Sequence, residues 1–157
     1  AVAGNDAQDL SKIGGKVLRL NDDGSIPADN PFSKNPANAK KEVYTLGHRS
    51  SLGLAVNPST GEMWLNENGP NGGDEINVLK PGANYGWPLV SLGRTYPGAW
   101  QSKGFSKEGF EDPIVYWTPA IAVSGMANAM PGSASRYVPC TDMPAPPPIT
   151  MPCSSAT

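Results

Sequence analysis

The residues with the clearest chemical potential lie in the stretch NENGPNGGDEINVL, residues 66–79. Its glycines let the chain turn carbonyl groups towards an ion, and Pro70 supplies an acceptor without a donor. Glu67, Asp74 and Glu75 add carboxylates, and calcium prefers oxygen ligands of both kinds. The alternating acidic ligands of an EF-hand are missing. The stretch therefore predicts either a calcium-binding loop or a wide hairpin with solvated acids, and the residues alone do not decide between them.

A second candidate site lies in GHRSSLGLAV, residues 47–56. The guanidinium of Arg49 is a rigid fork of five donors that suits carboxylates. Spacing alone favours the plainer interpretation, in which Arg49 is a surface residue paired with a nearby acid. His48 is the only histidine, and a lone histidine is more often packed or hydrogen-bonded than a ligand or a base. No residue nearby in the sequence makes it half of a catalytic pair.

A third candidate, PGANYGWP, places Tyr85 and Trp87 around a tight turn at residues 81–88. Packing of buried aromatic side chains explains this pattern, and stacking against a ligand is the alternative.

Short strands must position these residues, because turn signals recur about every ten residues and no helical periodicity is sustained. The predicted strands are GKVLRL (15–20), EVYTLG (42–47), the hairpin LGLAVNPSTGEMWLNE (52–67), the start of EINVLKPGANYGW (75–87), and two short strands in DPIVYWTPAIAVSGM (112–126), broken at Thr118-Pro119. This spacing predicts an all-β sandwich, barrel or propeller and does not choose among them.

Composition narrows the classes of partner. A net charge of −2 over 157 residues gives no electrostatic case for binding nucleic acid or an acidic membrane surface. No apolar run approaches the roughly 20 residues of a membrane span, and AVAGNDAQDL lacks the features of a signal peptide. The chain starts without Met, so we expect a mature protein or a piece of a longer one. Eighteen glycines and seventeen prolines argue against long helices.

Residues 127–157 differ from the rest, with seven prolines from position 131 onwards. Prolines interrupt ladder hydrogen bonds, so we predict a disordered or loosely extended tail with a polyproline stretch at 146–148. A proline-rich ligand for an aromatic groove is the alternative. Cys140 and Cys153 both lie here; they could form a disulfide or stay free, and two are too few for a zinc site.

Four segments occur in one order along the chain: GKVLRLNDDGSIPADNPF, GHRSSLGLAVNPSTGEMW, ENGPNGGDEINVLKPGANYGWP and SGM. Together they resemble the soluble quinoprotein glucose and aldose sugar dehydrogenases, which use pyrroloquinoline quinone (PQQ) and calcium, and the related sorbosone dehydrogenase-like proteins. The resemblance covers residues 8–126. It implies a six-bladed β-propeller with the quinone on its axis, and a periplasmic or secreted protein.

The resemblance also implies roles for individual residues. Arg49 matches an arginine that contacts the quinone carboxylates, and Gly69 and Pro70 match the pair whose carbonyls bind calcium. Ser50 stands where the family usually has Asn, which implies a shorter-reaching contact to the quinone. Asp74 and Glu75, in turn, match acidic positions that support the loop.

Some of the family's residues have no match. The histidine that takes the proton from the sugar lies upstream of all these motifs in the family, and His48 is not that residue. The downstream basic residues of the quinone site are also unmatched, so no catalytic residue is assigned to this chain.

The resulting hypothesis is a central fragment of a PQQ-dependent aldose sugar dehydrogenase. The complete enzyme would oxidise an aldose to its lactone and pass electrons to a small or protein acceptor. Propeller blades take roughly 40–50 residues, so we expect about three blades here, open strand edges, marginal stability and no activity of the chain alone. One alternative is a non-catalytic propeller module that binds a ligand or partner, slightly favoured by Ser50. The other is a calcium-dependent propeller lactonase.

Overall fold

The structure is a computed structural model that describes residues 4–34 and 38–127. Its elements are a short 3-10 helix at Gly4–Gln8 and the strands β1 (Lys16–Leu18), β2 (Val43–Leu46), β3 (Ser51–Val56), β4 (Met63–Glu67), β5 (Asp74–Val78) and β6 (Val115–Trp117). These ranges contain no α-helix, which confirms the all-β prediction, and none of their helices has the length and apolar character needed to cross a membrane. The predicted tail, with Cys140 and Cys153, lies outside the described residues except for Ala127.

The strands form two antiparallel sheets. β3, β4, β5 and β6 pair in that order as one four-stranded meander, and β1 pairs with β2. The predicted hairpin is confirmed: β3 and β4 are joined by a turn in which the Asn57 carbonyl accepts the Gly61 amide at 2.8 Å. One complete four-stranded sheet and one two-stranded sheet are present in the described ranges, so the expected number of blades stays a prediction.

The second strand predicted in residues 112–126 is wrong for the part of the chain that the structure describes. β6 ends at Trp117, and no strand follows Thr118-Pro119 up to Ala127. Proline has no amide to donate to a ladder. The amides of Ile121 and Ala122 donate instead to a carboxylate oxygen of Asp74, at 2.8 and 2.6 Å. The segment is thereby fixed as a loop beside the start of β5.

Residues 79–114 form the long connection between β5 and β6, and they run back against β2. The Leu46 amide donates to the Ala83 carbonyl at 3.1 Å, and the Tyr85 amide donates to the Leu46 carbonyl at 2.8 Å. The connection thereby packs Tyr85 into the core between the two sheets. The third sequence candidate is thus mainly a packing element, as predicted for its buried aromatic residue.

The core consists of two small clusters of buried side chains: Phe32, Val43 and Leu46 in one, and Leu65, Leu79 and Tyr85 in the other. Directly opposite residues of an antiparallel pair share a face of the sheet. Leu54 lies opposite Leu65, which is 3% exposed, yet Leu54 itself is 51% exposed. The apolar face of the sheet therefore continues onto β3 beyond the part that the described residues cover.

Candidate functional site

A buried carboxylate organises the end of β4. Glu67 is 2% exposed. Its Oε1 accepts a hydrogen bond from Asn77 Nδ2 at 3.1 Å and lies 2.8 Å from His48 Nδ1, and its Oε2 accepts the backbone amide of Arg49 at 2.7 Å. These contacts compensate the cost of burying the carboxylate. They also fix the β2–β3 connection, and with it the start of the Arg49 side chain, against β4 and β5.

His48 is a structural partner of that carboxylate. Its side chain is 1% exposed, its Nε2 lies 2.8 Å from Thr45 Oγ1, and its ring stacks on Tyr85 with centroids 4.8 Å apart. Burial raises the pKa of Tyr85 to about 12, and its hydroxyl donates to the Val78 carbonyl at 2.6 Å. The prediction of a packed, hydrogen-bonded histidine is confirmed. Its partner Glu67 lies 19 residues away, so spacing could not reveal the pair.

Residues 68–73 form the wide loop between β4 and β5, and its glycines are required by close backbone approach. A Cβ on Gly69 would lie 2.0 Å from the Gly72 carbonyl oxygen. Gly72 and Gly73 have φ of +85° and +73°, in the region that L side chains rarely adopt. The chain therefore curls on itself here instead of closing as a short hairpin turn.

Asp74 holds this loop in place. Its Oδ1 accepts the Gly69 amide at 3.0 Å, and its Oδ2 accepts the amides of Ile121 and Ala122. Three backbone donors thus occupy a carboxylate that is 1% exposed. The prediction that Asp74 supports the loop is confirmed.

The four residues predicted to bind cofactor and metal, Arg49, Ser50, Gly69 and Pro70, line one cavity of about 330 Å³. Arg49 and Ser50 follow β2, whereas Gly69 and Pro70 follow β4. A backbone bond from the Asn68 amide to the Ser50 carbonyl, 2.9 Å long, brings the two segments together. The structure thus places the four residues in one site, while their individual roles stay predictions.

Arg49 lines this cavity, and its guanidinium contacts both the β4–β5 loop and the long connection. Nη1 donates to the carbonyls of Asn68 and Gly69 at 2.9 and 2.7 Å, and Nη2 donates to the Tyr96 hydroxyl at 3.1 Å. Its Cζ lies 5.2 Å from the centre of the Trp87 ring. No carboxylate within residues 4–34 and 38–127 forms a salt bridge with Arg49, so the expected pairing with a nearby acid is wrong. The charge of this half-buried group is therefore available to an anion.

Two buried polar atoms of the cavity residues test its fit to a cofactor. Arg49 Nε has no hydrogen-bond acceptor and Asn68 Oδ1 has no donor in the described part of the chain. An unpaired donor on a cationic group suits an anionic carboxylate, and an unpaired amide oxygen suits a hard cation. The same ranges contain no cluster of three or more His, Cys, Asp or Glu side chains able to hold a metal. A cation here would depend mainly on backbone, amide and hydroxyl oxygens.

Sequence reasoning missed two residues of the site. Tyr96 contacts Arg49 across 47 residues, and Asn68 contributes both a carbonyl and an amide side chain to the wall. The pairing of Asn71 with Arg94 brings the long connection over the loop. No periodicity or turn signal in the sequence reports that pairing.

Glu75 introduces a second carboxylate next to Glu67. The two residues are direct partners across β4 and β5, so they share a face of the sheet. Burial raises the pKa of Glu75 well above its ordinary value, and the charge of Glu67 raises the pKa further. Unlike Asp74, Glu75 does not line the cavity. We therefore expect its protonation to affect the stability of the fold.

Comparison with known proteins identifies relatives of this arrangement. A family model described as Glucose / Sorbosone dehydrogenase matches residues 1–134. The aldose sugar dehydrogenase YliI of Escherichia coli is 50% identical over 123 residues, which are 77% of this chain and 33% of that protein. Quinoprotein glucose dehydrogenase B of Acinetobacter calcoaceticus is 53% identical over 77 residues, which are 49% of this chain and 15% of that protein.

Solved structures agree with these matches. The crystal structure of the soluble aldose sugar dehydrogenase of Escherichia coli superposes with a TM-score of 0.73 at 48% identity, covering 76% of this chain and 35% of that one. The PQQ-bound aldose sugar dehydrogenase of Streptomyces coelicolor gives a TM-score of 0.61 at 36% identity, covering 78% of this chain and 32% of that one. The chain thus spans about a third of the length of relatives that it matches along most of its own length.

Glu67→Gln should lower the free energy of unfolding by about 1–3 kcal/mol, the cost of leaving a buried donor unsatisfied. The amide can accept at only one of the two positions where the carboxylate now accepts. Urea denaturation measures the loss. Glu62→Gln is the control, because the Glu62 side chain is exposed and accepts a local hydrogen bond from Thr60, and we expect a change within about 0.5 kcal/mol. Equal losses in the two variants would contradict the assigned role of Glu67.

Glu75→Gln should stabilise the chain at neutral pH. The folded chain holds the Glu75 proton more tightly than the unfolded chain does. Its stabilising contribution is therefore present below the ordinary pKa of 4.5 and is lost as pH rises through the raised value. We expect the Tm at pH 7.5 to rise by about 2 °C or more, and the difference to shrink towards pH 4. The exposed Glu108→Gln serves as control and should follow the wild-type curve; a Glu75→Gln curve parallel to wild type would refute the prediction.

Proposed function

Because the chain belongs to the glucose/sorbosone dehydrogenase family, we propose that it is the central part of a PQQ-dependent aldose sugar dehydrogenase. The complete protein would be a periplasmic or secreted six-bladed β-propeller, about three blades of which come from this chain. It would oxidise an aldose to its lactone and pass the electrons to a small or protein acceptor. The similarity to the Escherichia coli and Streptomyces coelicolor aldose sugar dehydrogenases, the latter solved with PQQ, supports the proposal.

The observation that carries this proposal is the half-buried Arg49 guanidinium, which faces the cavity without a carboxylate partner in the described ranges. PQQ carries carboxylates, and a guanidinium binds a carboxylate through two parallel hydrogen bonds. Arg49 would therefore bind a carboxylate of the cofactor. Ser50 lies beside it on the cavity wall and would add one hydrogen bond.

The carbonyls of Gly69 and Pro70 would hold calcium at the neighbouring wall. Asp74 keeps the loop in shape through its three backbone bonds and does not need to act as a ligand. When bound, the quinone supplies the oxidant for hydride transfer and calcium polarises its carbonyl. His48 is buried against Glu67 and does not line the cavity. The base that accepts the sugar proton would lie outside this chain, which by itself would not oxidise sugar.

Ser50 favours a second candidate function, a propeller module that binds a ligand or partner without catalysis. Serine reaches less far than the Asn expected in the family, so one contact to the quinone is weaker.

Arg49→Gln should weaken PQQ binding to the purified chain by about 10- to 100-fold in the presence of calcium. Hydrogen bonds to charged groups contribute about 1.5–3 kcal/mol each. Equilibrium dialysis with absorbance detection measures the affinity. Arg94→Gln is the matched control, because Arg94 lies over Trp100 and does not line the cavity. A wild-type chain that binds no PQQ, or an Arg49→Gln chain that binds it equally well, would overturn the proposal.

Grafting residues 8–126 in place of the matching third of the Escherichia coli aldose sugar dehydrogenase tests catalysis. We expect the chimera to reduce a dye with an aldose when PQQ and calcium are present. Ser50→Asn in the chimera should tighten PQQ binding by about 3- to 10-fold, since it restores one hydrogen bond. A folded chimera without PQQ uptake would support the module instead. Lactone hydrolysis without PQQ would support the calcium-dependent lactonase.

A further inference from the structure

The wide loop between β4 and β5 contains two Asn-Gly pairs, Asn68-Gly69 and Asn71-Gly72, and their glycine amides differ in their partners. Asparagine is a thermolabile residue in proteins. When glycine follows it, the glycine nitrogen can attack the side-chain carbonyl carbon of the asparagine, because glycine has no Cβ to hinder the approach. The attack needs a nitrogen that no hydrogen bond holds in place.

The first pair is protected by the contacts of the loop. The Gly69 amide donates to Asp74 Oδ1 at 3.0 Å. The Asn68 carbonyl accepts from Arg49 Nη1 at 2.9 Å, and Asn68 Oδ1 is buried. The Gly69 nitrogen is therefore free to attack only after the loop has opened locally and its bond to a carboxylate has broken.

The second pair lacks this protection. Asn71 is exposed, and its side chain forms no hydrogen bond within residues 4–34 and 38–127. Gly72 is buried, yet its amide has no acceptor in the same part of the chain. A buried backbone donor without a partner is rare in folded proteins. No contact of the described residues therefore holds the Gly72 nitrogen away from the Asn71 side chain.

We propose that Asn71 is a site of spontaneous deamidation in the folded chain, and that Asn68 in the same loop is protected. The Gly72 nitrogen loses its proton to solvent base and bonds to Asn71 Cγ. The bond from Cγ to Nδ2 then breaks, and ammonia leaves with a proton taken from water. Water opens the resulting cyclic imide on either side of the Gly72 nitrogen. Opening at Cγ gives aspartate, and opening at the main-chain carbonyl gives isoaspartate, so the reaction needs no oxidant or reductant.

Isoaspartate at this position would change how the long connection is held over the loop. The Asn71 carbonyl accepts the Arg94 amide at 3.0 Å, and the two residues pair as an antiparallel bridge. Isoaspartate carries the main chain through Cγ and so displaces that acceptor. Because the preceding Pro70 lines the cavity, the change lies next to the candidate site. The inference does not depend on the proposed function, since the reaction involves neither PQQ nor sugar.

Incubation of the full chain at mildly alkaline pH, followed by peptide mapping with mass spectrometry, measures the conversion of each asparagine. We expect Asn71 to convert about tenfold or more faster than Asn68, the factor implied by breaking one hydrogen bond to a charged group. The same chain in urea is the reference, because both glycine nitrogens are then unrestrained, and the two rates should become similar. A ratio of rates that is the same with and without urea would overturn the proposal, as would an intact Asn71 in the folded chain.

Asn71→Gln should slow the appearance of acidic forms on isoelectric focusing, because the longer side chain cyclises less readily. Asn38→Gln is the matched control and should behave like wild type, since Asn38 is exposed but is followed by Ala39, whose Cβ hinders the attack. In aged wild-type chain, hydrogen exchange at the Arg94 amide should be faster than in fresh chain, and ageing should not change it in Asn71→Gln. Acidic forms that accumulate equally fast in Asn71→Gln and wild type would contradict the assignment to Asn71.

Discussion

The buried carboxylate of Glu67 is the interaction on which the geometry of the site depends. Desolvating a carboxylate costs several kcal/mol, and this cost is compensated only because the β2–β3 connection and β5 both bring polar groups to it. The same contacts fix the relative positions of β2, β4 and β5. These contacts also fix the backbone of Arg49, because its amide is one of the donors to Glu67. The backbone position of Arg49 thus follows from a buried group that does not line the cavity.

Two buried carboxylates, Glu67 and Asp74, hold the backbone around the cavity in place. Glu67 fixes the start of the Arg49 side chain, and Asp74 fixes the loop that carries Gly69. Each uses both carboxylate oxygens within the protein. The other oxygens of the residues that line the cavity belong to the backbone, to the Asn68 amide and to the hydroxyls of Ser50 and Tyr96. Calcium affinity depends on the charge of its ligands, so the calcium ion that we propose would receive mostly neutral ligands from this chain.

The sequence predicted the all-β class, the β3–β4 hairpin and four of the residues that line the cavity, because the first two depend on local turn chemistry and the last on motifs shared with a family. It did not predict what distant side chains would do. The amides of Ile121 and Ala122 bond to Asp74, which a strand pattern cannot anticipate. The partner of His48 is 19 residues away, and the partner of Arg49 is a carbonyl pair where spacing suggested an acid. Tyr96 reaches the site only through the fold of a long connection.

The bonds from Ile121 and Ala122 to Asp74 also bear on how the chain is made. The loop around Gly69 leaves the ribosome long before residues 121 and 122 do, yet one of the two oxygens that brace it is satisfied only by those later amides. Until then the nascent loop carries a carboxylate with only part of its final set of donors. During vectorial synthesis, the hydrogen bonds that brace this loop can therefore be completed only after β6 has emerged.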